Sequence, residues 1–255
     1  MADTSPDRSD GRAANQIRPL AAEPGALSRA DGSSRFSHDG TEVLVAVYGP
    51  CEAKRSRERI DGSAIEVIVR PRMGIPGPID RELEQLVSQS LQHLVLVAMH
   101  PRTAVSVVVQ VLADDGALVS TALHGACVAL MHAGVPLRGM LAGCAIAILP
   151  DGAMLLDPSA AEEAEAQAVV TLAYLLRQRP DCGTKRQLLL SHMVGGVAPA
   201  QFDVCEKAAQ EAAASVALFI RQSLERSVAS LAAEDELEEV PQARPLPLIG
   251  QLETL

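Results

Sequence analysis

Four carboxylates stand close together between positions 157 and 165 and are the residues best suited to chemistry. Asp157 is followed by Glu162, Glu163 and Glu165. Carboxylates bind divalent cations and transfer protons, so this segment is a candidate for a metal-dependent reaction. Acidic residues are also favoured in the first turn of a helix, where the helix dipole is positive. The pattern is therefore consistent both with a weak metal site and with a solvated helix start.

The basic residues are concentrated in a second segment, the charged stretch KRSRERIDG at positions 54–62. A charge run of this kind predicts a solvated loop, but a positive surface also attracts RNA or an acidic neighbouring protein. We predict an RNA- or partner-facing surface from six residues: Lys54, Arg55, Arg57, Arg59, Arg70 and Arg72.

The composition limits the possible functions. A formal net charge of −10 and an aromatic content of 2% argue against independent nucleic-acid binding, which relies on cations and on aromatic stacking. The five cysteines are scattered without a CxxC pair, which predicts free thiols and no metal site. No secretory signal opens the chain and no apolar run approaches about 18 residues, so we predict an intracellular protein without a membrane partner.

The pattern of apolar residues predicts an α+β domain that positions these side chains. The valine-rich segment Ala104–Ala113 predicts a buried strand, and the Ala-rich run from Ser120 predicts a helix that lies against a sheet, with Ser120 and Thr121 at its start and His124 as a satisfied core histidine. Further strands are predicted at 17–20, 33–36, 41–48, 64–70, 140–148, 154–156, 169–176 and 185–194, and further helices at 79–99, within 157–168 and at 201–230. Residues 1–9 and the acidic, Pro-containing tail 231–255 are predicted to be disordered.

Short motifs in collinear order over residues 10–228 resemble the RNase PH family. They include Asp10-Gly11-Arg12, Gln16-Ile17-Arg18-Pro19, Val47-Tyr48-Gly49-Pro50, Gly125-Ala126-Cys127-Val128-Ala129-Leu130 and His132-Ala133-Gly134-Val135-Pro136. The Val-Tyr-Gly-Pro ending is similar to the exosome branch of the family. Three stretches, at 70–77, 100–103 and 132–138, resemble RNase PH-like subunits of the eukaryotic RNA exosome, of the exosome component five type. The resemblance implies one layered domain of mixed sheets and helices at residues 10–230.

The resemblance also implies a vestigial active site. In the family, the turn before the central helix carries a Gly-Thr-Arg-Thr phosphate grip, and its Thr-Arg pair falls here on Leu118 and Val119. The family's carboxylate pair falls on Asp157 and Glu163, and two of its RNA-contacting arginines fall on Gln89 and Gln92. Leu and Val side chains cannot replace a guanidinium that binds phosphate through two hydrogen bonds.

By resemblance, we expect a non-catalytic subunit without a cofactor that joins other RNase PH-like exosome subunits in a six-membered ring. RNA would pass through the assembled channel during 3′–5′ processing and degradation, including rRNA processing and mRNA turnover, in the nucleus, the nucleolus and the cytoplasm. Two alternatives stay open at this stage. One is a self-associating nuclease, acting on RNA or DNA, that uses Asp157 and Glu163 with Mg²⁺. The other is a scaffold that acts outside the exosome.

Overall fold

Two sheets and four α-helices form the protein in the computed structural model, which describes residues 8, 10–179 and 183–238. The first sheet has the order β1-β2-β3-β5-β4 and consists of β1 (Leu20–Pro24), β2 (Gly32–His38), β3 (Thr41–Glu52), β4 (Ala64–Arg70) and β5 (Thr103–Ala113). The second, antiparallel sheet has the order β7-β6-β8-β9 and consists of β6 (Met140–Ile148), β7 (Met154–Leu156), β8 (Ala168–Arg179) and β9 (Gly183–Gly195). The predicted α+β class is confirmed.

The helices are α1 (Pro78–Leu94), α2 (Leu118–His132), α3 (Ala160–Glu165) and α4 (Pro199–Glu238). The crossover through α1 makes β4 parallel to β5, whereas the other neighbours in the first sheet are antiparallel. No helix in the part of the chain that the structure describes is long and apolar enough to cross a membrane.

Helix α2 lies between the two sheets, which explains its almost uninterrupted apolar sequence. Its residues from Ser120 to Leu130 are buried, and it packs on β2 and β3 of one sheet and on β6 of the other. Gly125 permits the close approach to β3, because a Cβ atom there would lie 3.0 Å from methyl groups of Val43 and Val45. Small side chains on α2 and β-branched side chains on the strands therefore build most of the core, in which Phe36 and Tyr174 are the buried aromatic side chains among the described residues.

Several element boundaries differ from those that the sequence predicts. Strand β3 does not stop at Gly49-Pro50 but continues to Glu52, because a register shift between Tyr48 and Cys51 accommodates the proline. The predicted helix at 79–99 ends at Leu94, and a separate 3₁₀ turn follows at Val97–Met99. Strand β1 begins at Leu20, where the prediction placed an end.

Both predicted termini require correction. Arg8 lies in the predicted disordered segment 1–9, yet it is only 5% exposed because its guanidinium binds several buried oxygens. Helix α4 continues to Glu238 rather than ending at Ser230, since Ala, Leu and Glu are good helix formers. The rest of the predicted tail, 239–255, and residues 1–7 and 9 lie outside the described residues.

Candidate functional site

Asp157 follows β7 and is buried, with a side chain that is 1% exposed. The Arg18 guanidinium contacts both carboxylate oxygens, with Nε–Oδ2 at 3.1 Å and Nη2–Oδ1 at 2.9 Å, and the Arg18 backbone N–H donates to Oδ2 at 2.9 Å. Burial alone would raise the pKa of Asp157, but the neighbouring His38 and Arg18 hold that pKa well below its usual range. Asp157 is therefore an ionised carboxylate whose two oxygens are both paired inside the protein.

Two further arginines enclose the same corner. Arg8 donates to the carbonyl oxygens of Leu156 at 3.0 Å and Asp157 at 3.1 Å, and it contacts both carboxylate oxygens of Glu162 at 2.7 and 2.8 Å. Arg12 Nη1 donates to the Asp157 carbonyl at 3.2 Å. We refer to Arg8, Arg12, Arg18, Asp157 and Glu162 as the ion-pair layer. The sequence motifs include Arg12 and Arg18, but their role was missed; the available signal was that a buried carboxylate requires cations.

His38 and His124 extend this layer into the core. His124 Nε2 accepts the Gly143 N–H at 2.9 Å, which assigns the His124 proton to Nδ1, 3.0 Å from His38 Nε2. His38 Nδ1 in turn lies 3.6 Å from Asp157 Oδ1. Burial, with His38 alongside, lowers the pKa of His124 well below its usual range. The prediction of His124 as a satisfied core histidine is confirmed.

Glu163 is a residue of α3, and its side chain accepts a backbone N–H at the N-terminus of α2. Its Oε1 accepts the Ala117 N–H at 2.7 Å, and Ala117 is the left-handed N-cap of α2, with φ of +53°. Burial raises the pKa of Glu163, and the nearby Asp114 carboxylate reinforces that rise. A helix N-terminus is a favourable place for an anion, and here one of its N–H groups is already bound by a carboxylate of the same chain.

The hydroxyl groups of Ser120 and Thr121, near the start of α2, also form hydrogen bonds within the protein. Ser120 Oγ donates to the Ala117 carbonyl at 2.8 Å, and Thr121 Oγ1 donates to the same oxygen at 3.0 Å. Both side chains are buried, with exposures of 1% and 0%. The prediction that Ser120 begins the helix, as its N-cap, is wrong, because the helix begins two residues earlier at Leu118 after the N-cap Ala117. Neither hydroxyl is available to a ligand.

Leu118, Val119 and Glu163 line one cleft of about 360 Å³ between α1, the start of α2, and strands β8 and β9. We call this space the cleft. Its other lining residues are Ile79, Asp80, Glu82, Leu83, Leu86, Asp114, Ala117, Val169, Thr171, His192 and Val194. The basic residue among them is His192, whose Nε2 lies 3.2 Å from Glu82 Oε1. The cleft thus combines an apolar surface with four carboxylates.

The predicted carboxylate pair is brought to one corner but faces two different partners. Arg18, which holds Asp157, also donates to the Asp115 and Gly116 carbonyls, whereas Glu163 accepts the N–H of the next residue, Ala117. Across the described ranges 8, 10–179 and 183–238, no group of three His, Cys, Asp or Glu side chains is placed to hold a metal ion. Because Asp157 is paired with Arg18, these residues do not fit the Mg²⁺ site of the alternative hypothesis.

The six predicted basic residues fall in two groups, in the loop before β4 and at its end. Lys54, Arg55, Arg57 and Arg59 lie in the loop before β4, where Arg57 Nη1 contacts Glu66 Oε2 at 2.9 Å. Arg70 is the last residue of β4, and Arg72 follows it. The contact with Glu66 brings Arg57 to the middle of the edge strand β4, four residues before Arg70, or roughly 13 Å along the strand at 3.3 Å per residue.

Residues 16–136 match the family model for RNase PH, described as the 3′ exoribonuclease family, domain 1. The chain is 31% identical over 231 residues to the exosome complex exonuclease RRP46 homolog of Arabidopsis thaliana, an alignment that covers 87% of this chain and 97% of the relative. The chain belongs to the RNase PH family. The resemblance drawn from the sequence motifs is therefore confirmed.

Solved structures agree with this membership. The crystal structure of rice (Oryza sativa) Rrp46 is 32% identical and superposes with a TM-score of 0.77, covering 85% of this chain and all of that chain. A chain of the Archaeoglobus fulgidus exosome with RNA bound to its active site superposes with a TM-score of 0.68 at 21% identity, covering 82% of this chain and 91% of that chain. The archaeal similarity shows that the two chains share the fold.

Proposed function

We propose that this RNase PH family member is a non-catalytic subunit of an exosome-type ring. The observation that carries the proposal is the start of α2, where the resemblance places the phosphate grip. Leu118 and Val119 stand at the gripping positions, and the Glu163 carboxylate accepts the Ala117 N–H. A site that must bind inorganic phosphate instead presents apolar side chains and a resident anion.

Phosphorolysis makes a specific electrostatic demand. It brings a phosphate dianion beside an RNA backbone that is already anionic, so cationic and hydrogen-bonding donors must stabilise both. In the cleft, carboxylates face this position and the Ser120 and Thr121 hydroxyls donate to the protein's own backbone. Repulsion between like charges therefore opposes phosphate at the position where an active enzyme would attract it.

Assembly into an exosome agrees with the named relatives. The Arabidopsis relative is named as an exosome complex exonuclease homolog, and the archaeal neighbours come from exosome cores. We propose that this chain likewise assembles with other RNase PH-like subunits, in a six-membered ring whose channel conducts RNA. Its cellular role would be 3′–5′ processing of rRNA and turnover of mRNA, in the nucleus, the nucleolus and the cytoplasm, without a cofactor.

The alternative function is the exonuclease that the relative's name denotes. It would require Asp157 or Glu163 to reach the reacting RNA. Asp157 is buried under Arg18, and Glu163 is bound to the α2 N-terminus. The ion pairs and hydrogen bonds of both carboxylates thus favour the non-catalytic proposal.

The assembly proposal is tested by co-expressing the chain with RNase PH-like subunits from the same organism. We expect a stable heterodimer or larger ring by size-exclusion chromatography with light scattering, and we expect truncation after Ser230 to assemble equally well. The predicted tail carries six acidic residues and one arginine, and we do not expect so strongly charged a segment to form the interface. A stable, monodisperse monomer that ignores these subunits would contradict the proposal.

The basic loop before β4 supplies a second test, by RNA binding to the isolated chain. We expect weak binding that falls steeply with salt, because the attraction comes from cation–phosphate contacts. Replacing Lys54, Arg55, Arg57 and Arg59 by Ala should abolish it. The control is Lys207→Ala/Arg226→Ala, which removes two exposed cations of α4. Undiminished binding by the fourfold variant would place the RNA contact elsewhere.

A further inference from the structure

We infer that the cleft is a docking site for a segment of a partner protein that carries arginine or lysine side chains among aliphatic ones. The inference rests on the proposed non-catalytic function. Under that proposal, the position of the family's phosphate site binds a cationic segment of a protein instead. The occupant is defined by its chemistry, which is the inverse of the charge of phosphate and RNA.

The lining of the cleft carries an excess of negative charge. Asp80, Asp114 and Glu163 accept hydrogen bonds from the neutral backbone N–H groups of Gly77, Gly116 and Ala117, so their charges are not neutralised by these contacts. The fourth carboxylate, Glu82, has His192 as its neighbour. A guanidinium or ammonium group entering the cleft would meet an excess of negative charge in a partly desolvated space, where ionic attraction is stronger than in water.

The apolar surface determines what else the occupant carries. Leu118 and Val119 form part of the wall, and the apolar lining continues outward to Ile79 and Val194, which are 79% and 59% exposed. The stem of an Arg or Lys side chain and a neighbouring aliphatic residue would cover these side chains. A free cation would leave them exposed to water, so a peptide segment fits the surface better than an ion does.

Strand β9 favours an extended segment. It supplies His192 and Val194 to the cleft and is the outer strand of its sheet. Outer strands present backbone groups that pair with an added strand, while side chains of that strand enter adjacent pockets. An extended segment can thus pair along β9 and place a cationic side chain among Glu82, Asp114 and Glu163.

The test uses the full chain and two labelled pentapeptides in a fluorescence-anisotropy titration. The probe is acetyl-Leu-Arg-Val-Arg-Leu-amide, and the charge-reversed control is acetyl-Leu-Glu-Val-Glu-Leu-amide. We expect the cationic peptide alone to bind. Its affinity should fall at least tenfold in Glu82→Gln/Asp114→Asn and remain within twofold in Glu52→Gln/Glu165→Gln, which removes two exposed charges outside the cleft.

Three results would overturn the inference: no binding of the cationic peptide, equal binding of both peptides, or equal losses in the two double variants. Inorganic phosphate is titrated in parallel and followed by ³¹P NMR. Phosphate binding that Val119→Glu abolishes would refute the proposed non-catalytic function as well. If neither phosphate nor peptide binds, only the docking inference fails. If the cleft variant loses self-association of this chain and not peptide binding, the occupant is a second copy and the partner inference is wrong.

Discussion

The ion-pair layer and the cleft both contact the turn that precedes α2, the layer through the Asp115 and Gly116 carbonyls and the cleft through the Ala117 N–H. The carboxylates of the two regions nevertheless have pKa values shifted in opposite directions. In the layer, the pKa of Asp157 is held low, because His38 and Arg18 outweigh the effect of burial. In the cleft, the pKa of Glu163 is raised by burial and by Asp114. The difference teaches that two carboxylates six positions apart can make separate contacts, one with buried cations and the other with a helix N-terminus. Asp157 forms a buried ion pair with Arg18, and Glu163 accepts a backbone N–H at the N-terminus of α2.

The largest expected effect is on the ion-pair layer. Asp157→Asn leaves the Arg18 guanidinium buried without its counter-charge, so we expect the free energy of unfolding to fall by about 3–5 kcal/mol. Urea denaturation measures the loss. The matched control is Asp115→Asn, because Asp115 also faces Arg18, at 3.7 Å, but its side chain is 46% exposed. That control should cost less than about 1 kcal/mol. Equal losses in the two variants would show that the buried Arg18–Asp157 pair stabilises the fold no more than a partly exposed pair does.

Arg8→Ala tests the N-terminal part of the same layer. It removes hydrogen bonds to four backbone carbonyls and the contact with Glu162, so we expect a loss of about 2 kcal/mol. The control is Arg35→Ala, which removes an ion pair with Glu42 whose arginine is 53% exposed. If the two variants lose equal stability, the segment before Asp10 contributes nothing beyond a surface pair.

The two carboxylates should also give opposite pH dependences. Since the folded-state pKa of Asp157 is below its ordinary value of 3.8, its stabilisation is present above that pH and is lost as the pH falls further. The folded-state pKa of Glu163 is above the ordinary 4.5, so its ionisation reduces stability as the pH rises from 4.5 through that higher value. Unfolding free energies measured from pH 3 to 7 should lose the first slope in Asp157→Asn and the second in Glu163→Gln.

The smallest effect is expected in the cleft at neutral pH. Glu163→Gln keeps an oxygen that can accept the Ala117 N–H and removes a charge beside Asp114, so stability should change by less than about 1 kcal/mol, in the stabilising direction. Thermal unfolding at pH 7 measures this change, with Glu165→Gln on the same helix as the control. A loss of several kcal/mol would mean that Glu163 belongs to the structural layer, and the contrast between the two regions would be lost.

Much of the fold could be predicted from local patterns. Strands β4, β6 and β7 have the predicted bounds, because their apolar residues are bracketed by charged, Gly or Pro residues. The start of α2 was misjudged because Ser120 has the chemistry of an N-cap, whereas the actual N-cap is Ala117 in a left-handed conformation.

The site was only partly accessible from the sequence. Comparison with the family's motifs places Leu118 and Val119 at the phosphate-grip positions, and this assignment stays a prediction. The pairing of Arg18 with Asp157 spans 139 positions, and no local spacing encodes such a contact. The different contacts of Asp157 and Glu163 likewise could not be read from the sequence, because they depend on which backbone and side-chain donors surround each carboxylate in the folded chain.

The most direct test of the non-catalytic account is phosphorolysis by the full chain. The protein is incubated with a 3′-tailed RNA, Mg²⁺ and inorganic phosphate, and nucleoside diphosphates are quantified against an active RNase PH enzyme. We predict no diphosphate above the level seen without protein, because Leu118 and Val119 carry no donor for phosphate and the Glu163 carboxylate accepts the Ala117 N–H. Phosphate-dependent release of diphosphates that disappears in Glu163→Gln, a variant expected to stay folded, would contradict the account.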